Sequence, residues 1–143
     1  MNKSLIYAKS EEDTANFAKF VVQHIKPGDI IFLDGDLGSG KTTLVRFILN
    51  EMGLRERVKS PTYNVVERYN FNKILVNHFD LYRFKSDDEW TFAGFDEYIG
   101  LNSISFIEWP EKINKLDLRP NVLIKINYGE SSDERVFEFI VNE

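Results

Sequence analysis

Cysteine is absent from all 143 residues. That excludes a disulfide framework, a Cys-ligated zinc or iron–sulfur centre and a thiol nucleophile. Histidine is nearly absent: His24 and His78 are too few for a His-based metal centre unless carboxylates supply the other ligands. Long apolar runs are missing too. The longest covers about four residues, 30–33, far short of the roughly 20 that cross a bilayer. The apolar stretch at 5–8 is likewise too short for the core of a signal peptide. The four prolines are scattered, and no repeat, low-complexity tract or linker interrupts the chain, so residues 1–143 are expected to form one domain. Positive charge is in the minority, with 18 Lys and Arg against 23 Asp and Glu for a net charge of −5. Autonomous binding to a phosphate backbone needs clustered cations, so no direct DNA binding is expected. The expected location is the cytoplasm.

What is present is an ordinary globular balance, 43% hydrophobic and 29% charged. A chain of this size buries roughly two-thirds of its unfolded surface, enough for one core. A strand is expected at 5–8. Ser10 with Asp13 three residues on resembles a capping box, followed by Ala18, Val21, Val22 and Ile25 at helical spacing and Pro27-Gly28 as a stop. The continuous apolar run 30–33 predicts a strand buried on both faces. A glycine-rich turn comes next, then a helix carrying Leu44, Val45, Ile48, Leu49 and Met52 and ending at Gly53. This is an α/β layout. Strands are predicted at 63–69 and 74–80, and their four-residue link can join only antiparallel neighbours. A second capping box at Ser86 opens a short helix running to Tyr98, with Gly94 as its weak point. A strand at 104–108 stops at Pro110, and 122–128 with 136–141 forms a closing hairpin. The expected architecture is a mixed sheet, parallel near the glycine loop and antiparallel at an edge, with helices on both faces.

Gly35-Asp36-Leu37-Gly38-Ser39-Gly40-Lys41-Thr42 matches the phosphate-loop (P-loop) pattern of two glycines five apart followed by Lys and Ser/Thr. The glycines let several backbone N–H groups point into one concavity, and the following helix adds its positive end. Lys41 can then reach the β- and γ-phosphates while the Thr42 hydroxyl ligates Mg²⁺. The loop lies between a buried-type strand and a helix, the context this motif requires. Such a site also needs an acid at a strand end. Asp80 and Glu108 both qualify, and nothing local decides which serves the metal and which the water. His78, two residues from Asp80, either orders that carboxylate or packs. His24 is expected to be exposed or capping. Arg83 either senses phosphate or forms a surface ion pair, and Trp90, Phe92, Phe95 and Tyr98 are expected in the core. Asn114-Lys115-Leu116-Asp117 matches a guanine-reading tetrapeptide, but it follows no buried strand and no D-x-x-G accompanies it, so adenine is the expected base.

Four blocks in order, G-D-L-G-S-G-K-T-T from Gly35, S-P-T-Y from Ser60, H-F-D-L-Y-R from His78 and I-E-W-P-E from Ile107, resemble the bacterial TsaE (YjeE/YdiB-type) family. These are P-loop ATPases of tRNA threonylcarbamoyladenosine (t6A) biosynthesis. The resemblance covers residues 30–111 and implies a P-loop NTPase fold with ATP or ADP and Mg²⁺ as ligands. It implies that Asp36, Leu37, Gly38, Ser39, Gly40, Lys41, Thr42 and Thr43 serve the nucleotide. Thr62 then lies on a switch-like loop near the γ-phosphate, and Trp109 lies beside the pocket. Lys41, Asp80 and Glu108 are implied as the catalytic set, with Thr42 and Glu108 on the metal. It implies TsaB and TsaD as partners, tRNA as an indirect one, and a hydrolysis step that resets their complex. Ser39 departs from the alanine common in the family, a harmless change where the loop works through its backbone. No arginine finger is evident in the chain, so turnover without partners is expected to be slow. Two other readings remain: a small-molecule kinase, for which a domain of this size leaves little room, and a nucleotide-gated binding module whose hydrolysis is incidental.

Overall fold

A computed structural model describes residues 2–142. Seven strands form one sheet in the order β1-β7-β6-β2-β5-β4-β3. They are β1 (Asn2–Ala8), β2 (Ile30–Asp34), β3 (Val66–Phe71), β4 (Ile74–Asp80), β5 (Ser103–Glu108), β6 (Val122–Tyr128) and β7 (Arg135–Val141). The helices are α1 (Glu11–His24), α2 (Lys41–Glu51) and α3 (Asp88–Phe92), with 3₁₀ turns at Phe95–Tyr98 and Pro110–Ile113. The four central strands, β6-β2-β5-β4, run parallel. Both edges are antiparallel, β1-β7-β6 on one side and β3-β4 on the other. The mixed sheet is as expected, and both expected hairpins form, β3-β4 at one edge and β6-β7 toward the other. β1 takes its place beside β7 through a pairing that no local pattern announces.

Burial explains the central strands. Every residue of β5 is buried, because α1 and α2 cover one face and the α3 region covers the other. The twofold alternation sorts side chains between two cores. Ile31, Leu33, Ile104 and Phe106 join Val21, Leu44, Val45, Ile48 and Leu49 beneath α1 and α2. Ile30, Phe79 and Ile107 join Leu81, Trp90, Phe95 and Ile113 on the opposite face. Ser10 caps α1 by accepting from the Asp13 N–H at 3.1 Å. Asp13 reaches back to the Lys9 N–H at 2.9 Å, one residue before the position a standard box would use.

Two elements differ from expectation. Residues 63–65 are not strand: Val65 takes a left-handed φ of 69° and its N–H closes a turn onto Pro61 O at 2.7 Å. β3 therefore starts at Val66 and continues to Phe71, and its link to β4 is a two-residue turn with Asn72 and Lys73 both left-handed. The helix expected from Ser86 to Tyr98 breaks at Gly94, where φ is 75°. The break turns Phe95 back onto Trp90, ring centroids 5.4 Å apart, and leaves Phe92 exposed rather than in the core.

Candidate functional site

Parallel strands deliver their carboxyl ends to one edge, and in open α/β sheets ligands bind there. The register places Asp80, the last residue of β4, directly opposite Glu108, the last residue of β5. Glu108 is also level with Leu33 in β2, two residues before Gly35. The glycine loop thus leaves the sheet beside both acids. Gly35 is sterically required: a Cβ there would lie 2.5 Å from Ser39 Oγ and 2.9 Å from Ile126 O. Gly38 and Gly40 carry φ values of 80° and 104°, conformations that a side chain disfavours. Gly40 is the N-cap of α2 and offers no side-chain acceptor to the first amides of the helix.

A cavity of about 250 Å³ opens in front of the loop, lined by Leu37, Gly38, Gly40, Lys41, Thr42, Thr43, Thr62, Asp80, Glu108 and Trp109. Of the twelve residues that the family resemblance assigns to nucleotide, metal or catalysis, only Asp36 and Ser39 are outside it. Asp36 contributes its carbonyl, which accepts from the Lys41 ammonium at 3.0 Å and from the Ser39 N–H at 3.0 Å. The same ammonium donates to Gly35 O and lies 4.2 Å from the centroid of the Trp109 ring. Burial lowers the Lys41 pKa, and the negative charges of Glu108, Asp80, Glu111 and Asp34 only partly counter it.

The two acids occupy different environments. Glu108 Oε2 accepts from Thr42 Oγ1 at 2.8 Å and is hydrogen-bonded to His78 Nε2. His78 thus orders Glu108, not Asp80, since its β-strand face points at the neighbouring strand's acid. Asp80 accepts from the Tyr82 N–H at 2.9 Å and from Thr62 Oγ1 at 3.2 Å. Burial, with the Glu108 charge behind it, pushes the Asp80 pKa up, while the Tyr82 amide, the Thr62 hydroxyl and His78 oppose the shift. Thr62 is held by Ser60, their hydroxyls 2.9 Å apart, so the S-P-T-Y block brings a hydroxyl to the acid from outside the sheet. Trp109 is left-handed at φ 60°, a strained state for a bulky residue, and its ring packs on Tyr82 at 4.9 Å. Oxygen donors from Thr42 and Glu108 within 2.8 Å of each other suit Mg²⁺, which prefers a hydroxyl or carboxylate supplemented by water and phosphate.

The other expectations are quickly placed. Among the described residues Arg83 forms no ion pair and does not line the cavity, and its guanidinium stacks 4.3 Å from Tyr63. His24 Nδ1 lies 2.7 Å from Phe20 O, a capping role. The Asn114–Asp117 tetrapeptide follows a 3₁₀ turn away from the cavity, where Asp117 pairs with Arg119 at the surface. The sequence reading missed a second cavity, about 450 Å³, on the other side of the loop. It shares Gly38, Gly40 and Thr43 with the first and adds Ser10, Phe47 and Arg135. The capping box at Ser10 was the available signal, but local spacing does not show that α1 begins beside the glycine loop.

A strand, a glycine loop whose lysine is turned inward, a helix and two acids on adjacent parallel strands define the fold of P-loop nucleotide-binding proteins. A family described as threonylcarbamoyl adenosine biosynthesis protein TsaE matches residues 8–137. The tRNA threonylcarbamoyladenosine biosynthesis protein TsaE of Haemophilus influenzae is 40% identical over 125 residues, 87% of this chain and 78% of that protein. Its Bacillus subtilis namesake is 34% identical over 128 residues, 90% of this chain and 79% of that protein. The crystal structure of Bacillus subtilis YdiB superposes with a TM-score of 0.80 at 27% identity, covering 98% of this chain and 86% of that one. The chain belongs to the TsaE family. Among the described residues, no helix is long and apolar enough to cross a membrane.

Proposed function

We propose that this chain binds ATP with Mg²⁺ and hydrolyses it slowly, as the ATPase component of tRNA t6A biosynthesis, with turnover coupled to TsaB and TsaD. The observation that carries the reading is the 2.8 Å hydrogen bond between Thr42 Oγ1 and Glu108 Oε2, which joins the P-loop to a strand-end acid inside one cavity. The family supplies the pathway.

In this reading the uncapped first turn of α2 and the loop amides gather the phosphates. Lys41 exchanges its carbonyl partners for phosphate oxygen, and the new negative charge favours its protonated form. Thr42 and Glu108 would hold Mg²⁺, which offsets phosphate charge during transfer. His78 keeps the Glu108 carboxylate oriented. Asp80, hydrogen-bonded to Thr62, would position the attacking water, and a carboxylate whose pKa burial raises accepts a proton more readily. The ribose and base would occupy the second cavity, beside Phe47 and Arg135. Among the described residues no guanidinium lines the phosphate cavity, which supports slow turnover alone and acceleration by partners.

The test is phosphate release from ATP, alone and with a TsaB–TsaD pair. Slow release that rises with the pair is expected, with Lys41→Ala giving none and Glu108→Ala lowering it by roughly 10²-fold or more. Fast release unaffected by the pair would remove the coupling to t6A synthesis. Phosphate appearing on an added nucleoside or alcohol rather than in water would make the protein a kinase.

A further inference from the structure

The phosphate loop is held from behind by the last hairpin of the chain. Tyr128 Oη donates to Gly38 O at 3.1 Å, and Arg135 Nε donates to Ser39 O at 2.7 Å. The two side chains come from opposite strands of the hairpin, where Tyr128 and Arg135 are direct cross-strand partners. The Arg135 guanidinium lies 4.4 Å from the Tyr128 ring and is fixed further by Ser132 O and by Glu134 O at 3.1 Å. Directly beyond the pair, the Gly129 N–H donates to Glu134 O at 2.9 Å, and a Cβ on Gly129 would lie 2.7 Å from Glu134 Cβ. The hairpin end is therefore tightly built, and it presents two donors to two successive loop carbonyls.

A trans peptide points its C=O and its N–H in opposite directions. Holding Ser39 O toward Arg135 turns the Gly40 N–H away from the hairpin. Gly38 and Gly40 have no Cβ to resist a peptide flip, so their own conformational freedom does not fix this orientation. We propose that Tyr128 and Arg135 are positioning residues: Arg135 presets the Gly40 N–H for phosphate, and Tyr128 steadies the preceding peptide, whose Ser39 N–H closes the loop onto Asp36 O at 3.0 Å. This rests on the reading of the loop as a phosphate site. The gain is preorganisation: the ordering of the loop is supplied by the fold rather than by the ligand.

Arg135 also lines the larger cavity, where it could instead touch the nucleoside, whereas Tyr128 lines neither cavity at the loop. Inorganic tripolyphosphate, which has no nucleoside, separates the two roles. Calorimetric titration of ATP and of tripolyphosphate, each with Mg²⁺, would be run on the wild-type chain, Tyr128→Phe, Arg135→Gln and Arg135→Lys. Tyr128 is 47% exposed, so removing its hydroxyl leaves the fold intact and keeps the test alive if an Arg135 variant is unstable. The expectation is that Tyr128→Phe and Arg135→Gln weaken both ligands by the same factor, roughly tenfold for the charge-assisted bond and less for the neutral one. ATP alone weakening in Arg135→Gln, with Tyr128→Phe silent, would overturn the proposal in favour of direct nucleoside contact. Unchanged affinities for both ligands would overturn it outright. A wild-type chain that binds neither ligand would instead remove the phosphate reading on which it stands.

Discussion

Asp80 shows how a site residue costs stability. Its carboxyl is buried and faces Glu108, and both effects favour the protonated form over the unfolded reference of 3.8. With the folded pKa above the unfolded one, the native state binds more protons in the window between them. Stability therefore falls as pH rises from 3.8 through the raised value. Asp80→Asn keeps an acceptor for the Tyr82 N–H and can donate to Thr62. The variant is expected to melt above the wild type at neutral pH, with the advantage shrinking toward acid, while phosphate release drops by roughly 10²-fold or more. Thermal melts across the acid-to-neutral range check this, and an Asn variant that melts lower at neutral pH contradicts it. At this scale the acids and the lysine were legible from their motifs. The partner of His78 was not. Twofold periodicity placed His78 on the same face as Asp80, but the register between β4 and β5 gave its Nε2 to Glu108. Ser39 Oγ is buried and has no hydrogen-bond partner among the described residues, in keeping with a position that works through its backbone.

At the scale of elements, two short departures from regular structure shape the molecule around the site. The left-handed turn at Val65 ends the S-P-T-Y segment before β3 begins, and the Asp80 N–H donates to Val65 O at 2.8 Å. That contact ties the Thr62 loop to the strand that ends in the acid. On the far face, the left-handed Gly94 separates α3 from its 3₁₀ continuation and lets Trp90 Nε1 donate to Asp96 Oδ1 across the break at 2.7 Å. A Cβ on Gly94 would meet nothing within 4 Å, so the cost of substitution is backbone strain alone. Gly94→Ala is expected to lower unfolding free energy by about 1–2 kcal/mol in urea titration without altering phosphate release. A loss much larger would mean that the break is held by packing instead. The pattern of Trp90, Phe92, Phe95 and Tyr98 suggested one helix with one buried side, because a weak point in a helical pattern does not reveal whether the chain continues straight or turns.

The whole molecule is one sheet whose two halves meet at the glycine loop, with the acids delivered by β4 and β5 and the loop backed by β6 and β7. A ligand that binds this junction binds only the folded state. Saturating ATP and Mg²⁺ at about a hundredfold over the dissociation constant should therefore add roughly 2.7 kcal/mol to stability, and Lys41→Ala should abolish the thermal shift. A shift of equal size in the variant would place ATP elsewhere. The sequence by itself determined the α/β class, the apolar strand at 30–33, the P-loop and the two strand-end acids, because these follow from adjacent residues and short periodicities. It also determined where α1, α2 and β5 stop, through Pro27-Gly28, Gly53 and Pro110. Only the tertiary structure decided that β1 takes the edge beside β7, that Glu108 takes His78 and Thr42, and that Tyr128 and Arg135 reach the loop across 90 and 96 residues. These depend on which strands become neighbours and in what register, and that choice is made by burial over the whole chain, not by any local pattern.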